Sequence, residues 1–361
     1  MGRTYVEKTD WSKWNSKSNN FQKYSHIQSP LVYGKPLKNP GEVSIMILTY
    51  KRAHGLKAAV DSALSQEYAA PYTIAVLDDS GFDQETDDLM KEYCQKHDNI
   101  LYYRHEKNLG QYANWNRACE LAPTDWYCLL HDDDILKTNY LTETMRYAKE
   151  DSELGLLGVY IDVNDTREGA AEKKVPLSRV VFNKITEAFV RFKQDTCIPL
   201  TLKDNIKHIY VMNSTFINKQ RALEIGGLDD AYFPSSDFAF AAKMSYYHTT
   251  GFLPAKLTNK GVGESESLKQ SVCDDSIRCA FFQTIEMCKS LGYSERKQLR
   301  KASIAAVISE IGVKGYNDVD YGHVKEALGM KKAYNNPLTI LAINLYSKFN
   351  WGMLIFRKSL H

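Results

Sequence analysis

Residues 127 to 136 read Tyr-Cys-Leu-Leu-His-Asp-Asp-Asp-Ile-Leu, a short apolar run that delivers three consecutive carboxylates to its C-terminal end. Adjacent acids repel one another and cannot all be buried without a compensating charge. If the apolar run is a buried strand, a divalent cation is the natural compensation. Hard ions such as Mg²⁺ and Mn²⁺ take one or two carboxylates and add phosphate oxygens, so a diphosphate-bearing substrate is the matching partner. The same residues also suit a solvated turn after a strand, because Asp is common in turns.

The chain has 361 residues, 43% of them hydrophobic, which is enough to bury a full core in one large domain with an appendage and excludes a disordered or fibrous protein. Its 46 basic and 44 acidic residues nearly cancel, so no global field points to nucleic acid. Charge is uneven only near the end, where Lys289 to His361 carries 12 Lys and Arg against 5 Asp and Glu, a stretch suited to an anionic neighbour. Seven scattered cysteines include no CxxC pair and no zinc-finger spacing, as expected of reduced core thiols. The N-terminus lacks the pattern of a secretory signal, and the apolar stretch Pro337 to Phe356 is interrupted by Asn344, Ser347, Lys348 and Asn350. These features predict a reducing, cytoplasmic setting.

Residues 1–41 are rich in Lys, Ser, Asn and Pro without sustained periodicity, and read as an arm or partly ordered leader. A regular alternation comes next. Val43 to Thr49 reads as a strand, Leu56, Val60, Ala63 and Leu64 as one helical face, and Tyr72 to Leu77 as a strand. Leu89, Met90 and Tyr93 mark a helix, Ile100 to Arg104 a strand, Trp115, Ala118 and Cys119 a helix, and Trp126 to Leu130 a strand. This interval predicts right-handed βαβ crossovers and a mainly parallel sheet. Ligands of such sheets bind beyond the carboxyl ends of the strands. Thr49-Tyr50-Lys51-Arg52, Asp78-Asp79-Ser80 and His131 to Asp134 all fall at strand ends, so a nucleotide or metal site is expected there.

Leu154 to Val163 continues the strand pattern, while 164–205 is mixed, with a weak helix near Ile185 to Phe192 and a Lys173-Lys174 pair suited to solvated surface. His208 to Asn218 resumes strand character, and Gln220 to Ile225 is a short helix ending at Gly226-Gly227, where a left-handed cap is expected. Ser235-Ser236-Asp237 reads as an N-cap for the helix Phe238 to Tyr247, and helices continue from Leu268.

The ordered set Thr49-Tyr50-Lys51-Arg52, Ser62 to Gln66, Asp78-Asp79-Ser80, Asn108-Leu109-Gly110 with Asn114 and Asn116, His131 to Asp134, and Gly226-Gly227-Leu228-Asp229 resembles the GT-A glycosyltransferases of family 2. The resemblance covers roughly residues 42–262. It implies an α/β GT-A fold, a Rossmann-like mainly parallel sheet flanked by helices, with a C-terminal helical extension over 263–361. It places the nucleotide-sugar site in the first half of 42–262 and the acceptor side in the second. The implied reaction moves a sugar from a nucleoside-diphosphate donor, usually UDP-linked, with inversion at the anomeric carbon.

The resemblance also assigns residues. Thr49 and Asp79 match positions that hold the base and ribose, Asp79 by accepting from uracil N–H, and Tyr50 and Arg52 flank that pocket. Asn108 and Asn116 fall where the family contacts the donor, although either suits a turn or cap. Asp133 matches the direct ligand of Mn²⁺ or Mg²⁺, with Asp132 and Asp134 reaching ribose, sugar hydroxyls or metal-bound water. His131 stands where related sequences often carry Asp, Asn or Ser. Inversion by single displacement needs a base for the acceptor hydroxyl. Asp237 is the candidate, although Ser236 replaces the first acid of the family's pair and helix capping competes for Asp237. Asp229 and Asp230 suit turn roles.

No Gln-x-x-Arg-Trp sequence comes after Asp237, which favours a single-addition enzyme over a processive synthase. Gly261 to Ser267 reads as a mobile lid or a plain linker. Leu338, Leu341, Leu345, Phe349, Met353 and Phe356 make an amphipathic helix with a basic end, suited to packing on the domain or to peripheral contact with an anionic membrane. The family resemblance fits a glycan or lipid-linked glycan acceptor in surface polysaccharide assembly, such as capsule or O-antigen. A sugar nucleotidyltransferase, and a glycan-binding protein without activity on the same fold, are the competing readings. Lys51-Arg52-Ala53-His54-Gly55 is a poor phosphate loop for the first, and intact Asp79, Asp133 and Asp237 oppose the second.

Overall fold

The structure is a computed structural model that describes residues 9–165, 195–207, 214–262 and 270–314, with isolated positions between 184 and 192 and between 324 and 328. Among the described residues one sheet holds ten strands: β1 (Leu31–Tyr33), β2 (Val43–Thr49), β3 (Tyr72–Asp78), β4 (Ile100–Arg104), β5 (Trp126–His131), β6 (Asp134–Leu136), β7 (Leu154–Asp165), β8 (Ile198–Leu200), β9 (Thr215–Asn218) and β10 (Thr249–Val262). Their spatial order is β1-β4-β3-β2-β5-β9-β7-β10-β6, with β8 attached to β10 beside that path. The run β4-β3-β2-β5 is parallel, as is β7 with β10, whereas β9 lies antiparallel between β5 and β7.

Helices α1 (Ala53–Leu64), α2 (Gln84–Lys96) and α3 (Gln111–Leu121) make the three crossovers among β2, β3, β4 and β5. Alternation along β2 divides its side chains between two cores. Val43, Ile45 and Ile47 join Leu56 and Val60 of α1 and Met90 of α2 on one face. Met46 and Leu48 join Trp115 and Ala118 of α3 on the other. Every residue of β2 is therefore buried, as a strand covered by helices on both faces must be.

The second half adds α4 (Tyr140–Glu150), α5 (Leu202–Asn205), α6 (Lys219–Glu224) and α7 (Ser236–Tyr247), then the pair α8 (Gln270–Ser290) and α9 (Glu295–Lys314). Gly226 and Gly227 take φ of 83° and 72° after α6, the expected left-handed cap. The sequence pattern did not announce β6, α4 or β10. Strand β10 contains Gly251, Pro254 and Asn259, all poor strand formers, yet it pairs with β6, β7 and β8, so tertiary pairing overrides propensity. Pro254 falls where the β7 register shifts between Leu253 and Lys256, a place that needs no ladder N–H.

From Thr9 the N-terminal arm is docked. Trp14 is 2% exposed among Leu202 and Ile206 beside α5, Phe238 of α7 and Met287 of α8, and the Trp11 ring stacks on Phe282 of α8. Polar composition hid this attachment because a few spaced aromatics supply it. Most of the mixed stretch 164–205, residues 208–213, positions 263–267 of the expected lid and the whole amphipathic segment 338–356 lie outside the described residues. Trp14→Ala should lower unfolding free energy by about 3 kcal/mol in urea titration, the usual loss for a large buried aromatic. A change below about 0.5 kcal/mol, typical of a surface site, would mean that the arm is not part of the cooperative fold.

Candidate active site

The parallel register places three polar strand ends side by side: Thr49 is level with Asp78, and Leu48 with His131. The segments that leave these strands therefore meet at one edge of the sheet. Asp132 is the junction. Its Oδ2 accepts from the Thr49 hydroxyl at 2.8 Å and the Tyr50 N–H at 3.2 Å, and its own N–H donates to Leu48 O at 3.1 Å. Arg52 Nη1 lies 3.4 Å from Asp132 Oδ1 and 3.2 Å from Asp133 Oδ2. Gly55 in α1 permits this closeness, since a Cβ there would stand 2.5 Å from the Asp132 carbonyl oxygen. Burial pushes the Asp132 carboxyl up, against the opposing pull of Thr49 and Arg52. Tyr50 is 49% exposed at the rim.

Asp79 anchors the neighbouring loop. Its carboxylate accepts from Leu109 N–H at 2.6 Å, Gly110 N–H at 2.9 Å and the Asn108 amide at 3.1 Å. Burial raises its pKa to about 6 despite those backbone donors. Asp78 is occupied by Tyr102 Oη at 2.7 Å and Ser80 N–H at 2.8 Å. Asn116 spends both ends of its amide on Leu228, accepting from N–H and donating to C=O at 2.8 Å each. Asn114 contacts His105 Nε2 at 2.9 Å. Asn108, Asn116 and Asp79 are thus placed as the framework of the site walls, whereas Thr49, Tyr50, Arg52 and Asp132 gather at the acidic strand end.

His131, Asp133 and Asp134 offer three potential ligand atoms that all lie within 4.8 Å of one another. Burial drives the His131 imidazolium down to about 4, opposed by the Asp133 charge and reinforced by Lys260 and Arg52. The ring is therefore neutral near pH 7. Its Nε2 is buried without a hydrogen-bond partner among the described residues. Its Nδ1 lies 3.9 Å from Asp134 Oδ2, and a neutral imidazole beside two carboxylates fits a divalent transition ion. His131 thus joins Asp133 and Asp134 in the candidate metal centre, and its place at the end of β5 was the available signal.

Asp237 lies in the first turn of α7. The cap position is Ser235, and no side chain caps the helix, so neither Ser236 nor Asp237 performs the expected capping. Asp237 Oδ1 accepts from the adjacent Phe238 N–H at 2.8 Å, and burial raises its pKa to about 6, against the pull of that N–H and of Lys260. Helix α8 supports this turn: Gln283 donates to Ser235 O at 3.2 Å and Cys279 Sγ lies 3.5 Å from Phe233 O. Lys260 of β10 was not singled out by sequence reasoning, because its nearness to the site depends on a strand pairing that is not local.

The sheet order, the acidic end of β5 and the helix bearing Asp237 define a GT-A domain. Residues 44–214 match the model of the family described as Glycosyl transferase family 2. It is 27% identical over 150 residues to an uncharacterized glycosyltransferase of Methanocaldococcus jannaschii, covering 41% of this chain and 51% of that protein. It is 28% identical over 126 residues to one of Mycoplasma genitalium, covering 34% and 42% respectively. These matches span about half the length of those relatives. A third, from Mycoplasma pneumoniae, is 25% identical over 293 residues, 76% of this chain and 91% of that protein. The crystal structure of S. aureus TarS 1-349 superposes with TM-score 0.53 at 13% identity over 87% of this chain and 90% of the other, and its complex with UDP gives 0.52 at 14%. At that identity the likeness establishes the fold.

Asp79→Ala should expose the Leu109 and Gly110 amides to faster hydrogen exchange and lower stability by about 2 kcal/mol, because buried donors lose their acceptor. Unchanged exchange at those two amides would refute the anchoring role.

Proposed function

We propose that this protein transfers a single sugar, with inversion, from a nucleoside-diphosphate sugar, UDP-linked in the first instance, to an acceptor hydroxyl. The observation that carries this reading is the convergence of His131, Asp133 and Asp134 with the Thr49 to Arg52 strand end at one sheet edge. His131, Asp133 and Asp134 would hold the ion, which orients a diphosphate and neutralises its growing charge. Imidazole in the set favours Mn²⁺ over Mg²⁺, which keeps to oxygen ligands.

Thr49 and Tyr50 border the nucleotide pocket, where the exposed Tyr50 ring offers a face to a base. Arg52, held beside two carboxylates, can turn a guanidinium toward phosphate. Asp237 takes the proton of the acceptor hydroxyl as that oxygen bonds to the anomeric carbon, while the carbon–oxygen bond to the diphosphate breaks. The acceptor class that suits the family resemblance is a glycan or lipid-linked glycan of surface polysaccharide assembly. No helix among the described residues is long and apolar enough to cross a membrane. The basic amphipathic pattern 338–356 supports peripheral contact with the anionic cytoplasmic face of a membrane.

The deciding experiment is release of nucleoside diphosphate from a panel of UDP-, GDP- and dTDP-sugars, with Mn²⁺, with Mg²⁺ and with EDTA. Turnover should be highest with Mn²⁺, vanish with EDTA and fall at least about a hundredfold in Asp133→Ala. No release from any donor under any metal condition would sink the reading. A base with pKa near 6 is ionised above that pH, so kcat/KM should decline as pH falls below 6. Asp237→Asn should lose about 10²–10⁴-fold in rate together with that acid limb. Persistence of the limb at a reduced rate would move the base elsewhere.

A further inference from the structure

The antiparallel β6–β10 ladder pairs Lys260 directly with Asp134, and Thr258 with Leu136. Cross-strand partners project from the same face of a sheet. The Lys260 side chain therefore leaves the sheet beside Asp134, one of the three grouped metal-ligand candidates. Its positive charge lowers the pKa of both His131 and Asp237, so it acts on a candidate ion ligand and on the candidate base alike. Lys256, earlier on the same strand, is engaged with Asp162 at 2.8 Å. Among the described residues no ion pair occupies Lys260, whereas Arg52, the other cation at the cluster, has Nη1 3.4 Å from Asp132 and 3.2 Å from Asp133.

We propose that Lys260 binds the diphosphate of the donor and donates to the phosphate oxygen on which negative charge collects as the sugar departs. This assignment rests on the nucleotide-sugar reading above. During displacement the electron pair of the carbon–oxygen bond passes to the terminal phosphate, while the acceptor's proton goes to Asp237. His131, Asp133 and Asp134 would hold the ion that offsets the same charge, and Lys260, paired with Asp134 across the β6–β10 ladder, would add an ammonium group from β10. A lysine suits the task as a compact point charge with three donors.

The test uses the full chain and isothermal titration with UDP and UMP, and with GDP and GMP and dTDP and dTMP in parallel, in Mn²⁺ and again in EDTA. Wild type is compared with Lys260→Met, Lys260→Arg and Lys256→Met. Lys260→Met should weaken binding of the nucleoside diphosphate about tenfold or more, and of the monophosphate less than about threefold, because one charge-assisted contact to the terminal phosphate is lost. Lys260→Arg should stay within about threefold of wild type, and Lys256→Met should match it. Retained monophosphate binding shows that the Met variant is folded.

Equal weakening of monophosphate and diphosphate, or no weakening of either, overturns the assignment and leaves Lys260 as a counter-charge for Asp134. A wild type that binds none of UDP, GDP and dTDP overturns the nucleotide-sugar reading itself, and this assignment with it.

Discussion

A carboxylate taken out of water must be met by donors, and Asp132 is met almost entirely by the end of the neighbouring strand. The Thr49 hydroxyl, the Tyr50 N–H and the Arg52 guanidinium all converge on it. That contact pins the end of β2 to the end of β5 and sets the direction of the next two residues. Three consecutive acids are thereby sent three ways. Asp132 turns inward to β2, Asp133 remains partly open beside Arg52, and Asp134 is buried at the start of β6 against β10. Repulsion within the run is relieved by divergence, and two of its members remain close enough to His131 to share an ion.

The same principle organises the next shell outward. Asp79 gathers the loop from Asn108 to Gly110, and Asn116 holds the turn at Gly227 and Leu228. From the far side the N-terminal arm grips that turn: Asn20 donates to Gly226 O at 3.0 Å, and Lys23 pairs with Asp229 at 2.7 Å and Asp230 at 2.6 Å. Tyr112 closes the circuit by donating to Pro234 O just before α7. The chain that carries Asp237 is thus tied to α3 and to the arm, so a segment distant in sequence helps to set the position of the candidate base. Arg117 reinforces the tie by donating to the backbone of Tyr24 and Ile27.

The alternating half of the chain was legible because its signals are local. Val43 to Thr49 matched β2 residue for residue, and the polar triplets at strand ends announced the edge at which they meet. The features that escaped were those created by distant pairing. Strand β10 has mixed composition and acquires its conformation from β7 and β6, and Lys260 comes near the acids only through that pairing. The backbone groups that Asp79, Asn108 and Asn116 engage lie far away in sequence, so these hydrogen bonds could not be read from the positions that suited ligand contact. A motif shows that a polar residue is required at a place, while only the fold shows which partner it serves.

The histidine that opens the acidic run bears on how the centre holds charge. A fourth acid at position 131 would add another negative group to a cluster near which, among the described residues, Arg52 and Lys260 carry the positive charge. A neutral imidazole supplies a lone pair without that repulsion, and burial keeps it neutral. Under the function proposed above, the acidic strand end would stay in place as ion and diphosphate exchange, with Asp132 met by Thr49 and Arg52 and Asp133 by Arg52. On that proposal a softer ligand at this position would bias the choice of ion, and a less negative cluster would leave room for the diphosphate beside it.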